Sequence, residues 1–365
     1  MPEIYNSTQL RRELHGLAEL GLDVKNTAAF VLQKLRALGI EADYVPGSYG
    51  VLGVIRGSEP GEVVLIRSDM DALPFKNPDG SVTAVHACGH DAHMGMLLEA
   101  ASRLVGKIRR GTLKILFQPA EETMQGALLM VEKGVLDDVD IAVGAHVRPM
   151  QDLKPGTLCA AVMYSGFAFP IVTVHGKPAH GSRPQLGVNA IDGANAIITA
   201  VNSIHMTPDV HWTIKPTQIK ADGAMNIIPP VCTMRFDIRA KSNQVMTGLL
   251  DKFKQAVKGG AEAVGCTADI EMGKVGPAPD YDPEITKELA DCINEVAPGR
   301  LAPNCGGGGE DFNFYKTAMP KLRTGFFGVG VGVTPGLHNR DMHFDDTLLP
   351  VGAAVFAAFV LKHLG

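Results

Sequence analysis

The sequence predicts an α/β fold in which a larger domain, a mixed sheet with flanking helices, is interrupted by a smaller α+β unit. Three observations carry this. The 365 residues exceed what one typical core organises. Compact apolar runs alternate with helical patterns along the first part of the chain, the rhythm of α/β layering. Two stretches, 150–156 (MQDLKPG) and 273–283 (GKVGPAPDYDP), then bracket a region of different pattern, and the second is rich in Gly, Pro and Asp. The expected division is 1–165 and 273–365 for the larger domain and 166–272 for the insert.

The elements follow in order. Asn6-Ser7-Thr8 supplies capping side chains for a first helix through Leu20, and a second helix is expected over about 26–38, with Gly39 as its stop. Extended segments at 42–45 and 51–56 precede 62–67 (EVVLIR), a compact run of the kind buried strands show. Helix 91–105, strand 112–118, helix 126–136 and strand 140–147 then alternate. Within the insert, strands at 169–174, 212–219 and 231–239 surround an apolar helix at 189–201. A last apolar helix is expected over about 350–364.

Composition narrows the function. The chain is 45% hydrophobic and 20% charged, which suits an ordinary globular protein. A net charge of −5 argues against nucleic acid or an anionic membrane as partner. Residues 1–20 show no secretory h-region, and no apolar run approaches the roughly 18 uninterrupted residues of a membrane span. Six scattered cysteines do not make a disulfide scaffold, so a reduced, cytoplasmic setting is expected.

Five short segments place metal-competent residues at the ends of apolar runs. Ser68-Asp69-Met70-Asp71 follows the run 62–67, at what would be the carboxyl edge of a sheet, where α/β proteins place their ligands. His86-Ala87-Cys88-Gly89-His90-Asp91-Ala92-His93 packs three His, one Cys and one Asp into eight residues, which packing alone does not explain. Cys88 and His90 cannot share a helix face at a spacing of two, but a turn with Gly89 at its centre can aim both at one ion. Asp91 would then lie at a helix N-terminus, which favours negative charge.

Gln118-Pro119-Ala120-Glu121-Glu122 ends a strand, so one carboxylate can bind metal while its neighbour faces substrate as general base. His146 ends the strand at 140–147; alone it reads as a core histidine. His338 follows a glycine-rich run, and His343 competes with it. The run Gly306–Glu310 (GGGGE) lacks the Lys-Ser/Thr of a phosphate-binding loop, and that reading is rejected. One thiolate, three imidazoles and a carboxylate suit Zn, Mn, Co or Ni rather than Mg or Ca. Five candidates exceed one tetrahedral site and favour two divalent metal ions about 3.5–4 Å apart.

At HACGHDAH and QPAEE the sequence resembles the metallo-aminoacylase/carboxypeptidase superfamily, in its amidohydrolase branch of hippurate hydrolases, N-acyl amino acid amidohydrolases and auxin-conjugate hydrolases. The resemblance extends over nearly the whole chain through RRELH, SDMDALP, LFQPAEE, GAHV, HGKPAHGSRP, AMNIIPP, GGEDF and GLHNRD. It implies a two-metal, aminopeptidase-like catalytic domain and a satellite domain that acts as lid and dimerisation surface, hence a homodimer or higher homo-oligomer. It implies Cys88, His90, Glu122, His146 and His338 as metal ligands with Cys88 bridging, Glu121 as general base, and Asp71 orienting a ligand. It further implies that His180 and Asn226 approach the substrate or its oxyanion; Arg239 suits a substrate carboxylate by its fork geometry, with an ordinary salt bridge as the alternative. The flanks of the site depart from the common pattern at residues 15–20, 123–125 and 339–343.

The expected activity is hydrolysis of an N-acyl amino acid or peptide-like small molecule to a carboxylic acid and an amino acid. A dipeptidase or aminopeptidase on the same scaffold is the nearer rival. A catalytically silent metal- or ligand-binding protein is the rival from another class, and intact Glu121 speaks against it. A cysteine hydrolase built on Cys88 and His90 is disfavoured by their spacing.

Overall fold

The computed structural model describes residues 4–365, which form two compact units. One unit runs to Met163 and resumes at Asp280–Gly365; the other is Tyr164–Pro279.

The first unit is built on an eight-stranded mixed sheet. From one edge its order is Glu41–Tyr44, Val51–Arg56, Arg110–Gln118, Glu59–Asp69, Ile141–Pro149, Arg323–Val333, Leu158–Cys159 and Leu301–Ala302. The four strands from Arg110–Gln118 to Arg323–Val333 are mutually parallel, and the strands on either side of them pair antiparallel. Their apolar runs are buried on both faces, as parallel strands covered by helices must be. Parallel pairing also gathers four carboxyl ends at one sheet edge; Glu122, His146 and His338 come from or just after those ends, while Cys88 and His90 sit at the start of helix His90–Leu104, beyond the separate hairpin Leu73–Lys76 and Val82–Val85.

Helices Ser7–His15, Lys25–Ala37, His90–Leu104, Pro283–Val296 and Leu349–Leu364 are amphipathic or buried elements of the same core. Asn6 caps the first through its side chain, which accepts the Gln9 N–H at 3.1 Å. That helix stops at His15 rather than continuing to Leu20. Glu19 is used differently: its carboxylate accepts the N–H groups of Asn26 and Thr27 at 3.1 and 2.9 Å, at the start of the next helix. The Glu19 carbonyl accepts the Ala72 N–H at 2.8 Å, which ties this turn to the segment after Asp71. Asp346–Leu364 is long and apolar enough by composition to cross a membrane. Its helical part instead packs against His90–Leu104 and Pro283–Val296, with Phe356, Phe359 and Val360 inside the core.

The second unit has a sheet ordered Thr267–Glu271, Ile171–His175, Val231–Ala240, Gly166–Ala168 and Val275–Gly276, with Trp212–Lys220 paired along the other side of Val231–Ala240. Helices Ala190–Asn202 and Asn243–Ala263 pack together over a separate core that includes Ile197, Phe236, Leu249 and Phe253. The second of these helices, 21 residues long, is not distinguished in the sequence pattern. A short two-stranded pair, Ala179–His180 with Ile227–Ile228, lies apart from the larger sheet.

Candidate metal centre

The turn between Cys88 and His90 is set by Gly89, which sits at φ 86° and precedes the helix His90–Leu104. A Cβ there would come 2.5 Å from Val147 Cγ2, so both the left-handed conformation and the close approach require glycine. The helix start holds His90 and Asp91 in its first turn. Asp91 does not face the metal candidates; it meets Arg11 Nε at 2.9 Å and His15 Nδ1 at 2.7 Å. After strand Arg110–Gln118 the chain turns sharply through Ala120, whose φ of 60° is an unfavourable left-handed conformation for a side-chain-bearing residue. His338 is also left-handed, at φ 64°, and its N–H donates to the Ala87 carbonyl at 2.7 Å, which ties its loop to the Cys88 turn.

The side chains converge. Cys88 Sγ lies 3.4 Å from His146 Nε2 and 3.3 Å from His338 Nε2. His90 Nε2 lies 3.8 Å from Glu121 Oε2 and 3.8 Å from Glu122 Oε1, and His338 Nε2 lies 3.9 Å from the same Glu122 oxygen. Three compact groups result: Cys88, His90 and His146; Cys88, Glu122 and His338; His90, Glu121 and Glu122. Cys88 therefore belongs to two groups that meet at its sulfur. His343 joins none of these groups; its Nδ1 faces the Asp341 carbonyl and its backbone pairs with Thr334.

The ring orientations fit divalent cations. His90 Nδ1 is held by the Asp71 carbonyl at 2.7 Å and His146 Nδ1 by the Val147 carbonyl, which fixes Nδ1 as donor and turns each Nε2 toward the cluster. Burial works against charge on His90, but Asp69 and the Asp71 bond raise it well up, so a cation there would take the place of its Nε2 proton. Among the described residues His90 Nε2 is buried with no hydrogen-bond partner, an orphan that a cation would satisfy. Burial, with neighbouring His93 and Arg148, keeps His146 neutral well below the usual imidazole range, the form that ligates. Burial and then the Glu122 charge push the Cys88 thiol well up, so a thiolate here needs a cation beside it. Burial also raises Glu121 well above the usual carboxylate range, with Glu310 and Glu122 adding to it. Glu122 is raised by burial against the opposing charges of His90 and His338.

Asp71 organises this cluster without joining it. Its carboxylate accepts the N–H of Glu121 at 2.9 Å and that of Glu122 at 3.1 Å, while its carbonyl holds His90. Of the remaining histidines in the motif, His93 is fully used: Nδ1 meets Asp69 Oδ1 at 2.7 Å and Nε2 accepts the Val147 N–H at 3.0 Å. His86 is buried with neither ring nitrogen hydrogen-bonded, and burial pushes it down to about 4.

The structure adds a buried ionic cluster behind Glu121. Arg67, inside the strand Glu59–Asp69, meets Asp69 at 2.8 Å, Asp311 at 2.6 Å and Glu310 at 3.2 Å. Asp311 also accepts from Gln118 Nε2 and from the Ala127 N–H, each at 2.8 Å, so it spans both ends of the segment that carries Glu121 and Glu122. Burial raises Glu310 to about 8 and Asp311 to about 6, against the Arg67 charge. The signals available in sequence were an arginine within an apolar strand and the acidic pair that ends GGGGED.

In the second unit, His180 and Asn226 come together: Asn226 Nδ2 lies 3.5 Å from His180 Nε2, and the Asn226 carbonyl accepts the Gly181 N–H at 2.7 Å. Arg239 has partners of its own. Its Nε donates to Asp237 at 2.6 Å, and its guanidinium lies 5.3 and 5.0 Å from the ring centres of Phe167 and Phe169. Its fork is thus already engaged by a carboxylate, the salt-bridge alternative of the sequence.

Fold and site together define a hydrolase with a binuclear divalent-metal centre at the carboxyl edge of an α/β sheet. The chain belongs to peptidase family M20/M25/M40, whose profile matches residues 65–362. It is 31% identical to the hippurate hydrolase of Campylobacter jejuni, over 98% of this chain and 96% of that one. It is 32% identical to thermostable carboxypeptidase 1 of Saccharolobus solfataricus, over 97% and 94%. A solved Bacillus subtilis structure described as a dinuclear metal-binding peptidase of family M20 matches with a TM-score of 0.83 at 26% identity, over 98% and 97%. The chain is a metal-dependent amidohydrolase of this family.

Proposed function

We propose that the substrate is an N-acyl amino acid, cleaved to a carboxylic acid and a free amino acid. The observation that carries the hydrolytic chemistry is Cys88 shared between two ligand groups, with Glu121 grouped with a member of each, His90 and Glu122. Cys88, His90 and His146 would hold one ion and Cys88, Glu122 and His338 the other. Zn, Mn, Co and Ni all suit a set of thiolate, imidazole and carboxylate. When bound, two such ions lower the pKa of a water and draw electron density from the scissile carbonyl.

Glu121 supplies the proton chemistry. It takes the proton from the attacking water and delivers it to the leaving amine, the base-then-acid role of a carboxylate with a raised pKa. Asp71 fixes the backbone from which Glu121 and Glu122 project. His180 and Asn226 are proposed as donors to the developing oxyanion, and Arg239 as a contact for the substrate carboxylate in exchange for Asp237. The N-acyl amino acid class is supported by likeness to a hippurate hydrolase. Likeness to a carboxypeptidase keeps peptide substrates as the second reading. The division at 166–272 is read as a satellite unit that joins copies of the chain. Among the described residues the outer edge of strand Trp212–Lys220 pairs with no other strand, an edge open to such pairing.

The test is a screen of metal-reconstituted enzyme against N-acyl amino acids and dipeptides, with the released amino acid identified by mass, alongside Glu121→Gln. Release from N-acyl substrates, with Glu121→Gln binding metal normally but losing at least about 10²-fold in turnover, is expected. Turnover retained by that variant sinks the base assignment, and exclusive turnover of dipeptides sinks the substrate class.

A further inference from the structure

Two cysteines outside the metal centre lie against each other in the first unit. Cys159 is buried in strand Leu158–Cys159, and Cys305 is half-buried just beyond strand Leu301–Ala302. Their sulfurs are 3.5 Å apart, within hydrogen-bond contact. The two chain segments are paired, with Cys159 opposite Ala302 and Cys305 opposite Val162. Leu301–Ala302 pairs in parallel with Leu158–Cys159, Val162 bridges Cys305, and the Met163 N–H donates to the Cys305 carbonyl at 2.6 Å. Asn304 adds a side-chain bond from the Ala161 N–H at 3.0 Å.

We propose that Cys159 and Cys305 form a redox-active dithiol, converted by a peroxide into an intramolecular disulfide that fastens the segment entering the glycine run 306–309. A bonded pair needs sulfurs about 2.05 Å apart. The remaining approach of roughly 1.5 Å lies within side-chain rotation and small backbone adjustment, because strand pairing already holds the two chain segments together. The pair also has the electrostatics of a reactive dithiol. The hydrogen bond from Cys305 outweighs burial and holds Cys159 down to about 7, while the same contact pushes Cys305 up.

The chemistry balances. Once the pair has released one proton to solvent, the shared proton moves onto Cys159 as Cys305, the sulfur that solvent reaches, attacks a peroxide oxygen. The O–O bond breaks, a sulfenic acid forms, and the leaving oxygen takes a proton back from solvent to depart as alcohol or water. Cys159 then attacks that sulfur, the S–O bond breaks, and the departing hydroxide takes the Cys159 proton as water. Two thiols and one hydroperoxide give one disulfide, one alcohol (water, from hydrogen peroxide) and one water.

The site is distinct from the metal ligands, so the test uses the metal-loaded full chain. Protein is exposed to hydrogen peroxide, alkylated, and mapped by mass spectrometry without reduction. A peptide joining Cys159 to Cys305 within one chain, lighter by two hydrogens and split by dithiothreitol, is expected. Cys305→Ser should lose that peptide, and wild-type mapping decides alone if the variant folds poorly. Recovery of Cys159 and Cys305 separately alkylated after peroxide, or linked only between chains, overturns the proposal.

Discussion

Replacing Asp71 with asparagine removes one of two charge-assisted acceptors beneath Glu121, the proposed base, and Glu122. In the wild type the two Asp71 oxygens accept the N–H groups of Glu121 and Glu122 at 2.9 and 3.1 Å, with Asp71 and Glu121 buried and Glu122 half-buried. Asparagine keeps one oxygen, but its amide then points a donor at the other N–H. Losing one hydrogen bond to a charged group in the interior costs about 1.5–3 kcal/mol. The turn that carries both residues already holds Ala120 at φ 60°, so relief of that strain displaces Glu121. A displacement near 1 Å at the reacting group costs roughly 10²-fold in rate. The His90 contact uses the Asp71 carbonyl, which the substitution leaves in place. Steady-state kinetics of the metal-loaded variant should therefore show kcat down by roughly 10²-fold with metal content unchanged. Urea unfolding should report a loss of about 2 kcal/mol. A kcat within twofold of wild type refutes Asp71 as a positioning group.

Two further substitutions probe the same edge of the sheet. Gly89→Ala places a Cβ 2.5 Å from Val147 at φ 86°; a lower melting temperature, from at least about 1–2 kcal/mol of strain, and weaker metal affinity are expected, and an unchanged affinity by calorimetry speaks against the turn as the aiming device. Asp91 is lowered below its ordinary value of 3.8: burial opposes this, but the His15 hydrogen bond and the Arg11 charge prevail. Its contribution to stability is therefore present above about pH 4 and lost as pH falls through the lower folded value. Asp91→Asn should flatten the acid limb of urea midpoints measured between about pH 3 and 6, and an unaltered slope contradicts the assignment.

The metal chemistry was legible in the sequence because a metal site demands residues that packing does not. HACGHDAH and QPAEE stood out against apolar strands for that reason, and the fold brings His90 and Glu122 from the two motifs within 3.8 Å. His338 could not be separated from His343 by pattern, since only the loop's left-handed turn and its tie to Ala87 decide which ring faces Cys88. The cluster of Arg67, Glu310 and Asp311 was hidden for a different reason: its members lie 244 residues apart at the extreme, and nothing in the run EVVLIR says which distant carboxylates its arginine meets. Helix Asn243–Ala263 was not among the elements expected in the insert, and it carries three glycines, Gly248, Gly259 and Gly260. Gly260 is there for close packing, as a Cβ would meet the Ile197 backbone at 2.8 Å. The end of the first helix was misplaced because Glu19, a good helix former, serves instead to cap the next one.

The central claim is a binuclear centre bridged by Cys88, and metal stoichiometry tests it most directly. Metal-free protein is titrated with Zn or Mn while bound metal per chain and turnover are read together. Two ions per chain, with turnover completed only by the second and with Cys88→Ser failing to hold both, is the predicted result. Full turnover at one ion per chain, or a Cys88→Ser variant that binds two ions as tightly as wild type, would contradict it.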